Sequence, residues 1–300
     1  MENIFQNYIS KAKDYKAQIA YNELSDPRVR CAVYQLKEQW FDPVLVWKQK
    51  ELVDIYGDDL SKFKYYIHDS DESLLDYTSQ LVLQWKVDGM ISGAMRPTSE
   101  VLKSVIAYID TKDGVDKISG YFLINTDRGL ILTADCAVQP SPSVDELADI
   151  AYLSAHSALS LGIMPKIAML SFSSKGSADY PMAQKVRKAS SLAKQKFDNE
   201  DMDVDIQWEL QLDTAISPAV ASQKLPDGVW WWDANVLVFP DLNAGNIWYK
   251  LIEQFGNSQA IGPILQWLTK PCNDLSRWCS MEDILVLHAI TVLQAKEVGL

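Results

Sequence analysis

Glycine is scarce in this chain, at 13 of 300 residues, where an ordinary share near 7% gives about 21. Histidine is scarcer: His68, His156 and His288 lie far apart, and Cys31, Cys136, Cys272 and Cys279 form no CxxC pair. That pattern suggests neither a zinc site nor a disulfide framework, and no metal or prosthetic group is expected. No run approaches 18 apolar residues, and the opening Met-Glu-Asn-Ile-Phe-Gln-Asn-Tyr has no basic segment ahead of an apolar one. Neither a membrane span nor an export signal is expected, which makes a reducing cytoplasm the simplest home. Positive charge is short as well. With 28 Lys and Arg against 40 Asp and Glu the net charge is -12, and the pI lies near 4.7, so nucleic acid and anionic membrane are repelled overall.

What remains is an ordinary globular composition, 48% apolar and 23% charged, in a chain long enough for two domains. Apolar periodicity predicts helices over 3–20, 28–39, 98–110 and 143–161, with short buried strands at Val44-Leu-Val, Ile167-Ala-Met-Leu-Ser-Phe and Val236-Leu-Val-Phe. Strands at Ile118–Asn125 and Leu130–Ala134 follow the Thr111-Lys-Asp-Gly114 turn, which reads as a domain crossover. Alternating strands and helices imply parallel sheets covered by helices on both faces. Ser92-Gly93 stands between a strand and a helix, so that helix N-terminus is a place to receive an anion.

Three ordered blocks near the C-terminus carry the chemistry: Phe239-Pro-Asp-Leu-Asn-Ala-Gly245-Asn246, Gly262-Pro-Ile-Leu-Gln266 and Pro271-Cys-Asn-Asp-Leu-Ser276-Arg277, with Asp283 behind them. They gather amides, a hydroxyl, a guanidinium and a carboxylate around turns, the mixture needed to bind an anion and move a proton. Their order and spacing resemble the phosphate acetyltransferase family from about residue 17 to 295. The loop Ser171-Phe-Ser-Ser174-Lys175-Gly176-Ser177 resembles the family's phosphate-holding loop and lacks the full Walker pattern, so a P-loop NTPase is not supported. Weaker family blocks are Asp135-Cys-Ala, Glu209-Leu-Gln211 with Asp213, and Glu23 with Asp26 and Arg28.

The resemblance implies two three-layer α/β domains with a cleft between them, similar to isocitrate and isopropylmalate dehydrogenases. Residues 1–112 plus 265–300 would form the first domain and 113–264 an inserted second one. It further implies a homodimer acting on coenzyme A, acetyl phosphate and inorganic phosphate. Asp283 matches the family's general base, Arg277 its phosphate grip and Ser276 the donor to the carbonyl oxygen. Thr98, Lys103, Ser171, Lys175, Asn243, Asn246, Tyr249, Lys250, Gln266 and Asn273 are the candidate substrate-binding residues. Read from spacing alone, Ser280-Met-Glu-Asp283 has the shape of a helix capping box, a competing use for the same Asp. Cys136 and Cys279 lack an evident His partner and read as packing residues, as do the three His.

Departures from the family pattern are systematic. Trp40, Trp47, Trp85, Trp208, Trp232, Trp248, Trp267 and Trp278 stand where the pattern has glycine. Counting all 10 Trp as Gly would bring glycine to about 8%, near its ordinary share. An indole in a tight turn or close approach should overpack or strain its site. The pattern points to a codon, such as UGA, that means glycine in the source organism; a decayed pseudoenzyme and a deliberate replacement set are the alternatives. Lys103 and Gln254 each replace a family arginine, losing the bidentate fork and, at Gln254, the charge. These departures favour one other reading, a non-catalytic acyl-CoA-sensing module; a phosphate butyryltransferase is the nearest rival, though the Asn273-Asp-Leu-Ser-Arg277 block fits the acetyl enzyme better.

Overall fold

The computed structural model describes residues 4–114, 117–225, 233–256 and 258–299. Trp232 lies outside them, as do its neighbours Trp230 and Trp231. The chain divides into two units, residues 1–114 with 261–300 and residues 115–260, where the sequence reading changed over at 112/113 and 264/265. In chain order the strands are β1 (Gln18–Tyr21), β2 (Asp42–Trp47), β3 (Lys64–Ile67), β4 (Gly89–Ser92), β5 (Ser119–Thr126), β6 (Gly129–Ala134), β7 (Lys166–Leu170), β8 (Asp205–Leu210), β9 (Val236–Val238), β10 (Gln259–Gln266) and β11 (Cys272–Asp274). The helices are α1 (Ile4–Ala12), α2 (Pro27–Glu38), α3 (Gln49–Tyr56), α4 (Leu74–Leu83), α5 (Thr98–Tyr108), α6 (Val144–Ser160), α7 (Pro181–Asn199), α8 (Leu212–Ile216), α9 (Pro218–Lys224), α10 (Leu242–Phe255) and α11 (Met281–Glu297).

The first unit is built on a fully parallel sheet of order β11-β4-β1-β2-β3. Its central strands are continuous apolar runs because both faces are covered, as the buried Val44, Leu45 and Val46 of β2 show. From β1 the chain steps outward to β2 and β3, then crosses back to β4 and finally β11. This reversal between β1 and β4 is a topological switch point, and in open parallel sheets the carboxyl ends beside such a point are where ligands bind. Helix α11 is buried through Ile284–Thr291 without a break and packs on α1, α2, β4 and β1, as a helix apolar on all sides must. The expected helix over 3–20 is corrected: α1 stops at Ala12, and Gln18–Tyr21 is the central strand. Four apolar residues carry too little periodicity to tell strand from helix, and pairing on both edges decides.

In the second unit the sheet order is β10-β5-β6-β9-β7-β8, with β5 and β6 antiparallel and β6, β9, β7 and β8 parallel; along β10 the chain returns to the first unit. Gly245 of α10 is required here by contact, because a Cβ would fall 2.3 Å from the Asp135 carbonyl oxygen.

Helix endings in both units follow one design. After α6, Gly162 is left-handed at φ 76°, the Ile163 N-H bonds the Ala158 carbonyl and the Gly162 N-H bonds that of Leu159, which together form a Schellman stop. Helices α2 and α4 end in the same pair of bonds, Phe41 to Leu36 with Trp40 to Lys37, and Lys86 to Leu81 with Trp85 to Val82. There the left-handed residue is tryptophan, at φ 72° for Trp40 and 58° for Trp85, and the two indoles are 89% and 63% exposed.

Candidate functional site

At the switch point of the first unit, three loops leave the carboxyl ends of neighbouring strands. The loop after β1 carries Asn22, Glu23, Asp26 and Arg28; the loop after β4 carries Gly93 to Arg96; the loop after β11 carries Leu275 to Ser280. Glu23 is buried, and its carboxylate accepts the backbone N-H groups of Ala94 (2.7 Å), Met95 (3.2 Å) and Arg96 (3.1 Å). The anion held ahead of α5 is thus the chain's own carboxylate, which corrects the expectation of an external anion on these amides. Gly93, at φ 102°, is indispensable: a Cβ there would lie 1.9 Å from Asp274 Oδ1 and 2.8 Å from the Leu275 nitrogen.

The loop after β11 presents the expected reacting groups. Arg277 is exposed, Ser276 is half-buried, and Ser276 Oγ accepts the Trp278 N-H at 3.4 Å. Asp283 occupies the first turn of α11. Its Oδ2 accepts the Ser280 N-H at 2.8 Å while Ser280 Oγ accepts the Asp283 N-H at 3.1 Å. The capping box is therefore formed, and it orients the half-buried carboxylate. The box holds the carboxylate through Oδ2.

Behind this loop lies Asp274, 0% exposed. Its Oδ2 accepts the Thr98 hydroxyl at 2.5 Å, and Oδ1 is buried without a hydrogen-bond partner. Burial pushes its carboxyl up to about 7, with the Glu23 charge adding to the rise and the Thr98 hydrogen bond and Arg277 opposing it. Thr98, a substrate-binding candidate, thus spends its hydroxyl proton inside the protein. Asn273 is also put to internal use: its amide donates to Thr291 Oγ1 (2.9 Å) and Gln294 Oε1 (2.7 Å) and accepts the Leu265 N-H (2.9 Å). Fully buried, it braces β10, β11 and α11 and has no surface to offer a substrate. Gln266 is buried too, whereas Lys103 is exposed on α5.

The second-unit candidates follow β7 and β9, again at carboxyl ends. In the loop after β7, Ser173 Oγ and Ser177 Oγ bond each other at 3.1 Å, Ser177 Oγ accepts the Ser174 N-H at 3.0 Å, and Ser173 Oγ accepts the Ala178 N-H at 2.9 Å. Buried Glu209 accepts the Gly176 N-H at 2.9 Å. Many donors expected to hold phosphate are therefore spent on the loop's own shape, with Ser171 Oγ accepting the Ser173 N-H. Lys175 donates to Gln207 Oε1 at 3.1 Å and lies 4.1 Å from the centre of the Trp208 ring; burial lowers its ammonium to about 8. After β9, Asp241 caps α10 by accepting the Ala244 N-H. Asn243 is exposed and Asn246 donates to the Cys136 carbonyl at 3.1 Å. Tyr249 is core, stacked on Phe122 at 4.0 Å, and its hydroxyl accepts from Lys250 at 2.8 Å.

Burial pushes the Cys279 thiol up to about 12 and Cys136 higher, so neither is a ready nucleophile. His288 is buried on the Tyr21 hydroxyl at 2.9 Å, and burial lowers it to about 3. Among the described residues no group of three or more His, Cys, Asp and Glu could hold a metal ion. No helix among them is long and apolar enough to cross a membrane. Sequence reasoning underrated Glu23, Arg28 and Asp274. The available signal was Asp26-Pro27-Arg28, an N-cap followed by Pro at the first helical position, which predicts that α2 begins directly after the Glu23 block.

A family model described as phosphate acetyl/butaryl transferase matches residues 64–292. A phosphate acetyltransferase of Thermoanaerobacterium thermosaccharolyticum is 38% identical over 98% of this chain and 100% of its own length. One from Staphylococcus aureus is 46% identical over 220 residues, 73% of this chain and 67% of the relative. Among solved structures, a phosphotransacetylase from Streptococcus pyogenes superposes with a TM-score of 0.88 at 34% identity, over 97% of this chain and 99% of that one. The EutD phosphotransacetylase from S. aureus gives 0.85 at 34% identity, over 98% and 100%.

Proposed function

The chain belongs to the phosphate acetyl/butaryl transferase family, and from that premise we propose that it interconverts acetyl-CoA plus phosphate with acetyl phosphate plus CoA by direct thiol attack. The observation that carries the assignment of roles is the loop from β11 to α11, which places Ser276, Arg277 and Asp283 in sequence at the switch-point edge of a parallel sheet. Arg277 offers its fork of donors to the phosphoryl oxygens. Ser276 donates to the acetyl oxygen as negative charge develops there.

Asp283 takes the thiol proton as the C-S bond forms; the bond from the carbonyl carbon to the phosphoryl oxygen then breaks and phosphate leaves. A free thiol is a far weaker acid than a carboxylic acid, so complete transfer of its proton to a carboxylate is uphill. Proton transfer concerted with C-S bond formation avoids that cost, and it needs a carboxylate held in a fixed orientation. The Ser280 backbone N-H supplies the fixing contact. No metal or prosthetic group enters the scheme. A cytoplasmic homodimer completes the proposal.

The test is turnover of acetyl phosphate and CoA to acetyl-CoA, with butyryl phosphate run alongside. Faster turnover of the acetyl compound is expected. A preference for butyryl phosphate moves the assignment to the butyryl branch, and binding of acetyl-CoA without turnover makes the chain a sensor.

A further inference from the structure

Arg28 spends its guanidinium on the protein. Its Nε and Nη2 donate to the Asp26 carboxylate at 3.1 and 2.7 Å, Nη2 also to the Ala94 carbonyl at 3.0 Å, and Nη1 to the carbonyls of Arg277 and Cys279, both at 2.8 Å. One side chain at the start of α2 thereby ties the loop after β4 to the loop after β11. It grips that second loop by the backbone of Arg277 itself and of a residue two positions on, so it fixes where the Arg277 and Ser276 side chains start. Asp26, the N-cap of α2, holds the fork in plane.

We propose that Arg28 is a positioning residue for the transfer reaction, acting through the backbone of Arg277 and not through substrate. The inference rests on the role given above to Arg277. A planar fork can reach three carbonyls and a carboxylate at once, and a lysine ammonium cannot, so Lys is not a conservative replacement here. Displacement of a substrate-positioning group by about 1 Å can cost about 100-fold in rate.

The test compares Arg28→Lys and Arg28→Gln with the unaltered protein. Both variants are expected to lose at least about tenfold in kcat/KM for acetyl phosphate, with KM for CoA within about twofold. Backbone amide exchange at residues 278–280 is expected to accelerate in both. Unchanged kinetics in Arg28→Lys together with unchanged exchange would overturn the inference. If the unaltered protein has no transferase activity, the proposed function fails instead; the exchange measurement still decides whether Arg28 holds the loop.

Trp40 and Trp85 carry a second inference independently. Each takes the left-handed position of a Schellman stop that Gly162 occupies after α6, and Trp267 is left-handed as well, at φ 68°. For an indole that conformation is a steric outlier, and for glycine it is unstrained. We infer that the chain made in its own cells carries glycine at positions 40, 85 and 267. Tandem mass spectrometry of the three peptides from the native protein tests this: glycine is the expected residue, and tryptophan at these positions would overturn the inference.

Discussion

Asp274 shows how much one residue can store. Its folded-state carboxyl, near 7, lies above the unfolded value near 3.9. The folded chain therefore keeps a proton that the unfolded chain releases, and stability falls as pH rises between those values. Relative to Asp274→Asn, the unaltered protein should lose up to about 4 kcal/mol from pH 4 to about pH 7 and little more above that. Denaturant midpoints across pH measure the difference, and a pH-independent difference would show that Asp274 is already ionised in the fold. The left-handed tryptophans act on stability by another route. Such a conformation costs a residue with a Cβ about 1 to 2 kcal/mol, so Trp40→Gly and Trp85→Gly should each raise stability by about 1 kcal/mol after the extra freedom glycine gives the unfolded chain. Thermal melts of the single and double variants check this, and the two gains should add because the sites are at separate helix ends.

Among the elements, α11 joins scaffold to chemistry. Its buried length anchors it among α1, α2 and the sheet, and its first turn holds Asp283 in a capping box. Ser280→Ala removes the acceptor for the Asp283 N-H but keeps the Ser280 N-H that holds the carboxylate. It should cost about 1 kcal/mol of stability and far less activity than loss of the carboxylate itself. A denaturation curve paired with kcat separates the two roles. Much of this was legible beforehand: α2, α5, α6, β5, β6 and β7 fall within a few residues of their predicted spans, because long periodic helices and apolar strands are read locally. Strand β1 was not, since its identity is decided by partners on both edges. Nor was the exhaustion of Asn273, Tyr249 and Thr98 on internal partners. A motif shows which side chains recur, whereas burial and hydrogen bonding decide whether they face a ligand or the core.

At the scale of the whole chain, both units gather polar candidates at the carboxyl ends of parallel strands, so the fold supplies the address and the loops supply the reagents. The net charge of -12 opposes anionic substrates at long range, so recognition has to come from local cations, the part proposed for Arg277. The surest test of the account is kcat of Asp283→Asn at saturating substrate. Asn keeps the shape and an acceptor for the capping box and removes the base. A fall of about 100- to 10,000-fold in a folded protein is predicted. A kcat within about twofold of the unaltered protein would contradict the assignment of Asp283 as the group that takes the thiol proton.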